Sequence, residues 1–301
     1  LKFLQNRAYS NKQMTTLLTI EKAKDLDAHL ESVTALITQT LKETSLRGLV
    51  NESASLVGLG GKMLRSRLVY RLGTATGNDP LLMVYASAAV EMIHTASLLH
   101  DDVIDGGVLR RGRPTFWVEK GPAGAILLGD LLLFKAIDLI CRVADGRYTH
   151  DLVILTGEVC EAESEQELIL NGDDSKLEIC QSIARRKTGA LFAFAAMING
   201  REDYQRSASL KESGYLLGTV YQLADDILDT RDDQDCGKTL GTDAARGIVS
   251  AANLDEKHLI AHLETLIKEA CEMLDGDEEA LSGIRTYIDE DLQPAIDKLL
   301  V

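Results

Sequence analysis

Proline is scarce in this chain, with 4 in 301 residues. Because proline removes a backbone donor and clashes with the preceding helical turn, its rarity leaves room for long, uninterrupted helices. Sustained apolar and polar alternation is missing as well, which excludes a sheet-built fold and predicts an all-α class. Positive charge is in deficit: 32 Lys and Arg stand against 47 acids, a formal charge of −15. A nucleic-acid partner is excluded at that balance, since a phosphate backbone needs a basic face. No apolar run approaches the length of a membrane span, and Ala125 to Ile140 is interrupted by Asp130, Lys135 and Asp138. A signal peptide is lacking too. Cys141, Cys160, Cys180, Cys236 and Cys271 are widely spaced with no C-x-x-C pair, so they read as buried free thiols in a reducing, cytoplasmic compartment. The chain opens at Leu1, and Met14 is a candidate native start, which would make residues 1–13 disordered or non-native.

What is abundant is apolar helix-forming sequence, with 45% hydrophobic residues, enough for a sizeable core. Length alone suggests about two domains, yet two acidic motifs must meet across one cavity, so one helical domain over 1–301 is expected. Leu26, Leu30, Val33, Ile37 and Leu41 recur at spacings of three and four and mark an amphipathic helix. Further helices are expected at 123–144, 151–170, 175–199, 207–230, 255–275 and 279–300. Asp145-Gly146, Asn171 to Asp174 and Gly200 form the breaks between them.

The first acidic motif is Asp101-Asp102-Val103-Ile104-Asp105, and Asp225-Asp226-Ile227-Leu228-Asp229 repeats it. On a helix, i and i+4 share a face, so Asp101 and Asp105 direct their carboxylates at one spot with Asp102 beside them. Clustered hard oxygen ligands suit Mg²⁺, which keeps some waters and bridges to phosphate oxygens. Such a pentad is by itself more often a solvated acidic face, but both copies end apolar helical stretches. Arg110 and Arg111 follow the first copy, and a guanidinium matches phosphate geometry. Lys62, Arg65, Arg67 and Arg71 form one basic cluster and Arg110, Arg111 and Arg113 another, so an acidic chain still offers diphosphate sites.

GGKMLRSRL at 60–68, VEMIHTASLLHDDVID and RRGRPT within 90–115, and GDLLLFKA at 129–136 stand in that order along the chain. RRKTGALF at 185–192, YQLADDILD at 221–229 and GKTLGTD at 237–243 follow. In these blocks the chain resembles the trans-polyprenyl diphosphate synthases. The resemblance implies a helical bundle of the isoprenoid synthase type around a central cavity. It also implies a Mg²⁺-assisted ionisation, condensation and elimination between an allylic diphosphate, such as farnesyl diphosphate, and isopentenyl diphosphate. By that resemblance Lys62, Arg65, His94 and Arg111 bind isopentenyl diphosphate, and Arg110, Lys187, Thr188, Gln222 and Lys238 serve the allylic diphosphate. Asp101, Asp105 and Asp225 hold the metal, with Asp102, Asp226 and Asp229 in support. Met63 and Ser66 stand where the family usually has arginine and proline. A homodimer is expected, with no membrane contact beyond transient association through the product. Small Ala96 and Ser97 beneath the first pentad favour a long product, hexaprenyl to octaprenyl, over geranylgeranyl, unless Met92, Phe192 or Phe194 closes the shaft. A class I terpene cyclase would not need the second diphosphate set, and a non-catalytic partner subunit would usually lack one pentad. A catalytic subunit that needs a partner is the remaining alternative. The two C-terminal helices read as packing and solvation.

Overall fold

The structure is a computed structural model, and it describes residues 25–48, 61–144, 146–228 and 248–300. Asp229, Lys238, Cys236 and residues 1–13, all singled out above, lie outside the described residues. Helix α1 (Leu26–Lys42) starts at Asp25, whose carboxylate accepts from the Ala28 N–H and satisfies an exposed first-turn amide. Its apolar stripe buries Val33, Leu36, Ile37 and Leu41. Helix α2 (Leu64–Thr76) follows the glycine break, and α3 (Pro80–Ile104) is capped by Asp79 with proline in its first turn. Between α3 and α4 (Phe116–Val143) lies a small antiparallel hairpin, β1 (Leu109–Arg110) and β2 (Arg113–Pro114), where the sequence suggests only loop. Helix α4 kinks at Gly121, with φ of 81°, just before Pro122, so its regular part starts close to the expected boundary.

Helix α5 (Gly146–Leu168) leads to a continuous helical rod made of α6 (Leu177–Ala184), a π turn at Arg185–Gly189, α7 (Ala190–Met197) and a 3₁₀ turn at Ile198–Gly200. Helix α8 (Tyr204–Leu228) and α9 (Glu256–Glu272) follow. The chain then runs through α10 (Glu278–Tyr287), a second π turn at Ile288–Leu292, and α11 (Gln293–Leu300).

Helix α3 is the axis of the bundle, with α1, α2, α4 and α7 packed around it. Contrary to the expectation from apolar runs, α3 is long and apolar enough to cross a bilayer, yet 72% of its most apolar window is buried inside the protein. It is a core helix. Two cysteines also depart from expectation: Cys180 is buried and Cys271 half-buried, but Cys141 and Cys160 are exposed. They occupy outward positions on α4 and α5, and a small thiol carries no pattern that fixes burial.

Candidate active site

The site begins with a close approach of two backbones. A Cβ on Gly214 would stand 2.5 Å from the Phe192 carbonyl oxygen, and one on Gly218 would stand 2.6 Å from the Gly189 Cα. Glycines therefore let α8 lie flush on the rod that carries Lys187 and Thr188. The π turn widens the rod at this point, a distortion common where function needs a re-aimed side chain. As a result the Thr188 hydroxyl donates to Gln222 Oε1 at 2.6 Å, joining two of the sequence-predicted residues.

Lys187 has partners on α5. Its Nζ is 2.8 Å from Glu163 Oε2 and donates to Gln166 Oε1 at 3.0 Å. The sequence predicts a diphosphate as the anionic partner of this half-buried lysine, and the fold adds a protein carboxylate, Glu163 on α5, that was not foreseen. The Lys187 charge also acts on Asp101 of the first pentad and on Asp226 of the second.

Within the first pentad the three acids are unlike. Asp102 is buried, and its Oδ1 accepts from Arg110 Nε at 2.9 Å and from the other end of the same guanidinium at 2.8 Å. Arg110, expected on the allylic diphosphate, is therefore turned toward the protein. Asp101 is pushed up to about 7, chiefly by burial and then by the negative charges of Glu163 and Asp105, against the pull of Lys187 and Arg110. Asp105 ends the helix, its N–H donating to the Asp101 carbonyl at 2.7 Å. In the second pentad, Asp226 accepts from Gln222 Nε2 at 2.8 Å and from the Ala251 N–H at 3.0 Å, while burial raises its carboxyl above the ordinary range.

The predicted basic pocket also assembles. Arg111 and Gly112 form the two-residue turn of the hairpin with φ of 54° and 71°, the double left-handed geometry such a turn requires. Arginine there is strained by about 1 kcal/mol, and the strain aims it at α2: a Cβ on Gly61 would stand 2.7 Å from its guanidinium. The Thr115 hydroxyl and Trp117 indole N–H both donate to the Gly107 carbonyl, at 2.7 and 2.8 Å, and hold the hairpin's base. Arg65 lies over the Phe192 ring at 4.9 Å, and Lys62 lies over Tyr221 at 5.5 Å while donating to the Ala295 carbonyl at 3.2 Å. His94 is held well below its ordinary value by burial and by the positive charges of Arg65, Arg110 and Arg111, so its imidazole is neutral.

Several partners were not foreseen. Glu91 is buried beside Arg65 and accepts from both the Ser66 N–H (3.2 Å) and its hydroxyl (2.8 Å), a pairing that a proline, lacking N–H, cannot supply. The departure from the family pattern at Ser66 thus has a local use. Glu91 shares the α3 face of His94 and Asp101, which was a usable signal. Asp291 takes Arg67 at 2.9 Å and Arg71 at 2.8 Å, with Glu290 also on Arg71 at 2.6 Å. Arg67 and Arg71 are thereby committed to protein carboxylates. The C-terminal helices therefore do more than pack.

Among the described residues, no group of three or more acids, histidines or cysteines converges as a ready metal cage. Mg²⁺ does not need one, since it keeps several waters and takes one or two carboxylates plus substrate phosphates. Asp101, Asp105 and Asp225 are hard oxygen donors, and Asp101, raised chiefly by burial and then by the charges of Glu163 and Asp105, is a carboxyl that a cation would favour in its ionised form, so the donor set fits. The cavity of about 830 Å³ lined by Asn78, Asp79, Arg147, Tyr148 and Tyr204 lies at the opposite end of α3, on the order of 30 Å from the pentad by helix rise, and is separate from this site.

The model of the polyprenyl synthetase family matches residues 47–281. A short chain isoprenyl diphosphate synthase of Methanothermobacter thermautotrophicus is 31% identical over 260 residues, covering 79% of this chain and 80% of that protein. An octaprenyl diphosphate synthase of Haemophilus influenzae is 32% identical over 237 residues, covering 77% and 71%. A crystal structure of polyprenyl synthase from Caulobacter crescentus, complexed with calcium and isoprenyl diphosphate, superposes with a TM-score of 0.69 at 25% identity, covering 94% of this chain and 95% of that one. The chain belongs to the polyprenyl synthetase family and is a prenyltransferase that makes isoprenyl diphosphates.

Proposed function

We propose that the enzyme condenses an allylic diphosphate with isopentenyl diphosphate, assisted by Mg²⁺, and extends the chain to a medium or long all-trans polyprenyl diphosphate. The observation that carries this reading is Lys187, whose charge acts on one acid of each pentad, together with a basic set of Lys62, Arg65, His94 and Arg111. One cleft takes a leaving diphosphate and the pocket takes a second one. A terpene cyclase needs only the first.

Lys187, Thr188 and Gln222 hold the allylic diphosphate, with Lys187 exchanging Glu163 for phosphate oxygens. Asp101, Asp105 and Asp225 would hold Mg²⁺, which when bound neutralises charge on the departing diphosphate. Lys62, Arg65 and Arg111 fix isopentenyl diphosphate by charge, and neutral His94 adds a hydrogen bond. The allylic C1–O bond breaks with its electron pair leaving on the diphosphate, and the double bond of isopentenyl diphosphate then attacks C1 of the allylic cation, which the apolar wall of α3 shields from water. The remaining proton leaves to the freed diphosphate. Glu91 is already committed to Ser66 and is not needed as a base.

Product length follows from the wall below the pentad. Ala96 is fully buried and small, and Ser97 donates to the His94 carbonyl at 2.9 Å. Phe192 stands at the diphosphate end, 6.3 Å from Tyr221 and under Arg65, so it does not floor the shaft. Met92 and Phe194, both fully buried, are left to set the depth. On the outer face, Leu127 and Phe134 of α4 are 67% and 72% exposed, which supports a homodimer formed on that side. Purified chain with Mg²⁺, farnesyl diphosphate and labelled isopentenyl diphosphate should yield a hexaprenyl to octaprenyl product without a second protein. No turnover would overturn the reading. Ala96→Phe should shorten the product by one or more isoprene units, and an unchanged product would place the floor elsewhere.

A further inference from the structure

The C-terminal segment lies antiparallel along α2 in a fixed register. Gly283 abuts the backbone of Arg71 and Leu72, with a built Cβ 3.1 Å from both, Asp291 pairs with Arg67 and Arg71, and the Ala295 carbonyl accepts from Lys62. Tyr287 falls between these contacts, on the buried side of α10. Its side chain is fully enclosed and its hydroxyl has no hydrogen-bond partner. The Nε of Arg65, buried as well, also has none. A buried donor and a buried acceptor left unpaired in one cluster are costly and call for a cause. Arg65 interacts electrostatically with Glu91, Tyr221 and Tyr287, and Tyr287 with Asp291 first and then with Arg65, Tyr221 and Glu91, so Tyr287 and Arg65 belong to one cluster.

We propose that Tyr287 is a positioning residue for isopentenyl diphosphate: its hydroxyl oxygen accepts from the Nε of Arg65 when that arginine turns its other N–H groups onto the diphosphate. The proposal rests on the reading of the basic pocket as the isopentenyl diphosphate site. The second π turn follows Tyr287 directly and carries Asp291, which pairs with Arg67 and Arg71 and ties this segment to α2. Arg65 is then held on two sides, by Glu91 from α3 and by Tyr287 from α10, and its fork is fixed for a planar pair of phosphate oxygens. Tyr287 touches no reacting atom. Its effect reaches the substrate through Arg65.

The test is Tyr287→Phe, which removes one oxygen and keeps the packing. Steady-state kinetics should show a KM for isopentenyl diphosphate raised about tenfold, the size of one hydrogen bond to a charged group. KM for the allylic diphosphate and kcat should stay within about twofold. Calorimetric affinity for isopentenyl diphosphate should fall by the same factor, and the melting temperature should hold or rise, since an unpaired buried hydroxyl is gone. A lowered melting temperature with unchanged KM would assign Tyr287 to packing and overturn the proposal. Arg65→Met separates the two levels. If it raises KM for isopentenyl diphosphate while Tyr287→Phe does not, the tyrosine proposal fails and the pocket reading survives. If Arg65→Met leaves that KM unchanged, the pocket reading itself fails.

Discussion

The two pentads share a spelling and differ in setting. In the first, the middle acid Asp102 is neutralised by a cation, Arg110, inside the same hairpin unit. In the second, among the described residues the hydrogen bonds to Asp226 come from neutral donors, the Gln222 amide and the Ala251 N–H, and burial keeps its carboxyl raised against the pull of Lys187. Both arrangements fix the second acid of the motif to the protein. Asp101, by contrast, is raised to about 7, chiefly by burial and then by Glu163 and Asp105, against the pull of Lys187 and Arg110. A repeated motif is thus divided internally, with second acids acting as braces and leading acids proposed as metal ligands.

The largest expected effect separates those two classes. Asp101→Ala or Asp225→Ala should reduce kcat by at least about a thousandfold, whereas Asp102→Asn or Asp226→Asn, which keep a hydrogen-bonding group, should cost only about tenfold. Equal losses in all four variants, measured under saturating Mg²⁺, would erase the division. Next in size is the difference between the braces. Arg110→Ala leaves Asp102 buried without its cation and should destabilise the fold by roughly 2 kcal/mol, while Gln222→Ala removes a neutral donor and should cost roughly 1 kcal/mol. Urea denaturation of both variants measures the gap.

The smallest effect concerns pH. The Asp101 carboxyl titrates at about 7 in the fold, above its ordinary 3.8. The folded protein therefore takes up a proton on folding between about pH 4 and 7. Stability falls as pH rises through that window, and the penalty is complete above it. In metal-free protein, Asp101→Asn should be more stable than the parent at pH 8, on the order of 1 kcal/mol after allowance for partial exposure. The difference should vanish near pH 4. A variant that is less stable at pH 8 would show the charge there to be already balanced.

Much of this was written in the chain. Helix positions followed from apolar spacing and from glycine breaks because a buried helical face imposes its period locally. Lys62, Arg65, His94 and Arg111 were named through the family resemblance of their motifs, and in the fold the charges of Arg65 and Arg111 act on His94. What spacing does not encode is the partner on a distant element. Glu163 on α5 and Gln166 meet Lys187, the Ala251 N–H meets Asp226, and Asp291 removes Arg67 and Arg71 from the ligand-binding set. Each is a tertiary pairing between segments far apart in sequence. The hairpin at Leu109–Pro114 escaped for another reason: strands of two residues have no alternation to detect, and its Arg-Gly turn differs from the usual Asn-Gly or Asp-Gly signal.

One measurement bears most directly on the paired acidic walls. Crystals soaked with Mn²⁺ and inorganic pyrophosphate, recorded at the manganese edge, locate the bound ions by anomalous scattering. The expected result is ions bridging one pyrophosphate, bound by Asp101 and Asp105 on one wall and by Asp225 on the other. Manganese confined to a single pentad, or pyrophosphate bound with no metal contact to Asp225, would contradict it.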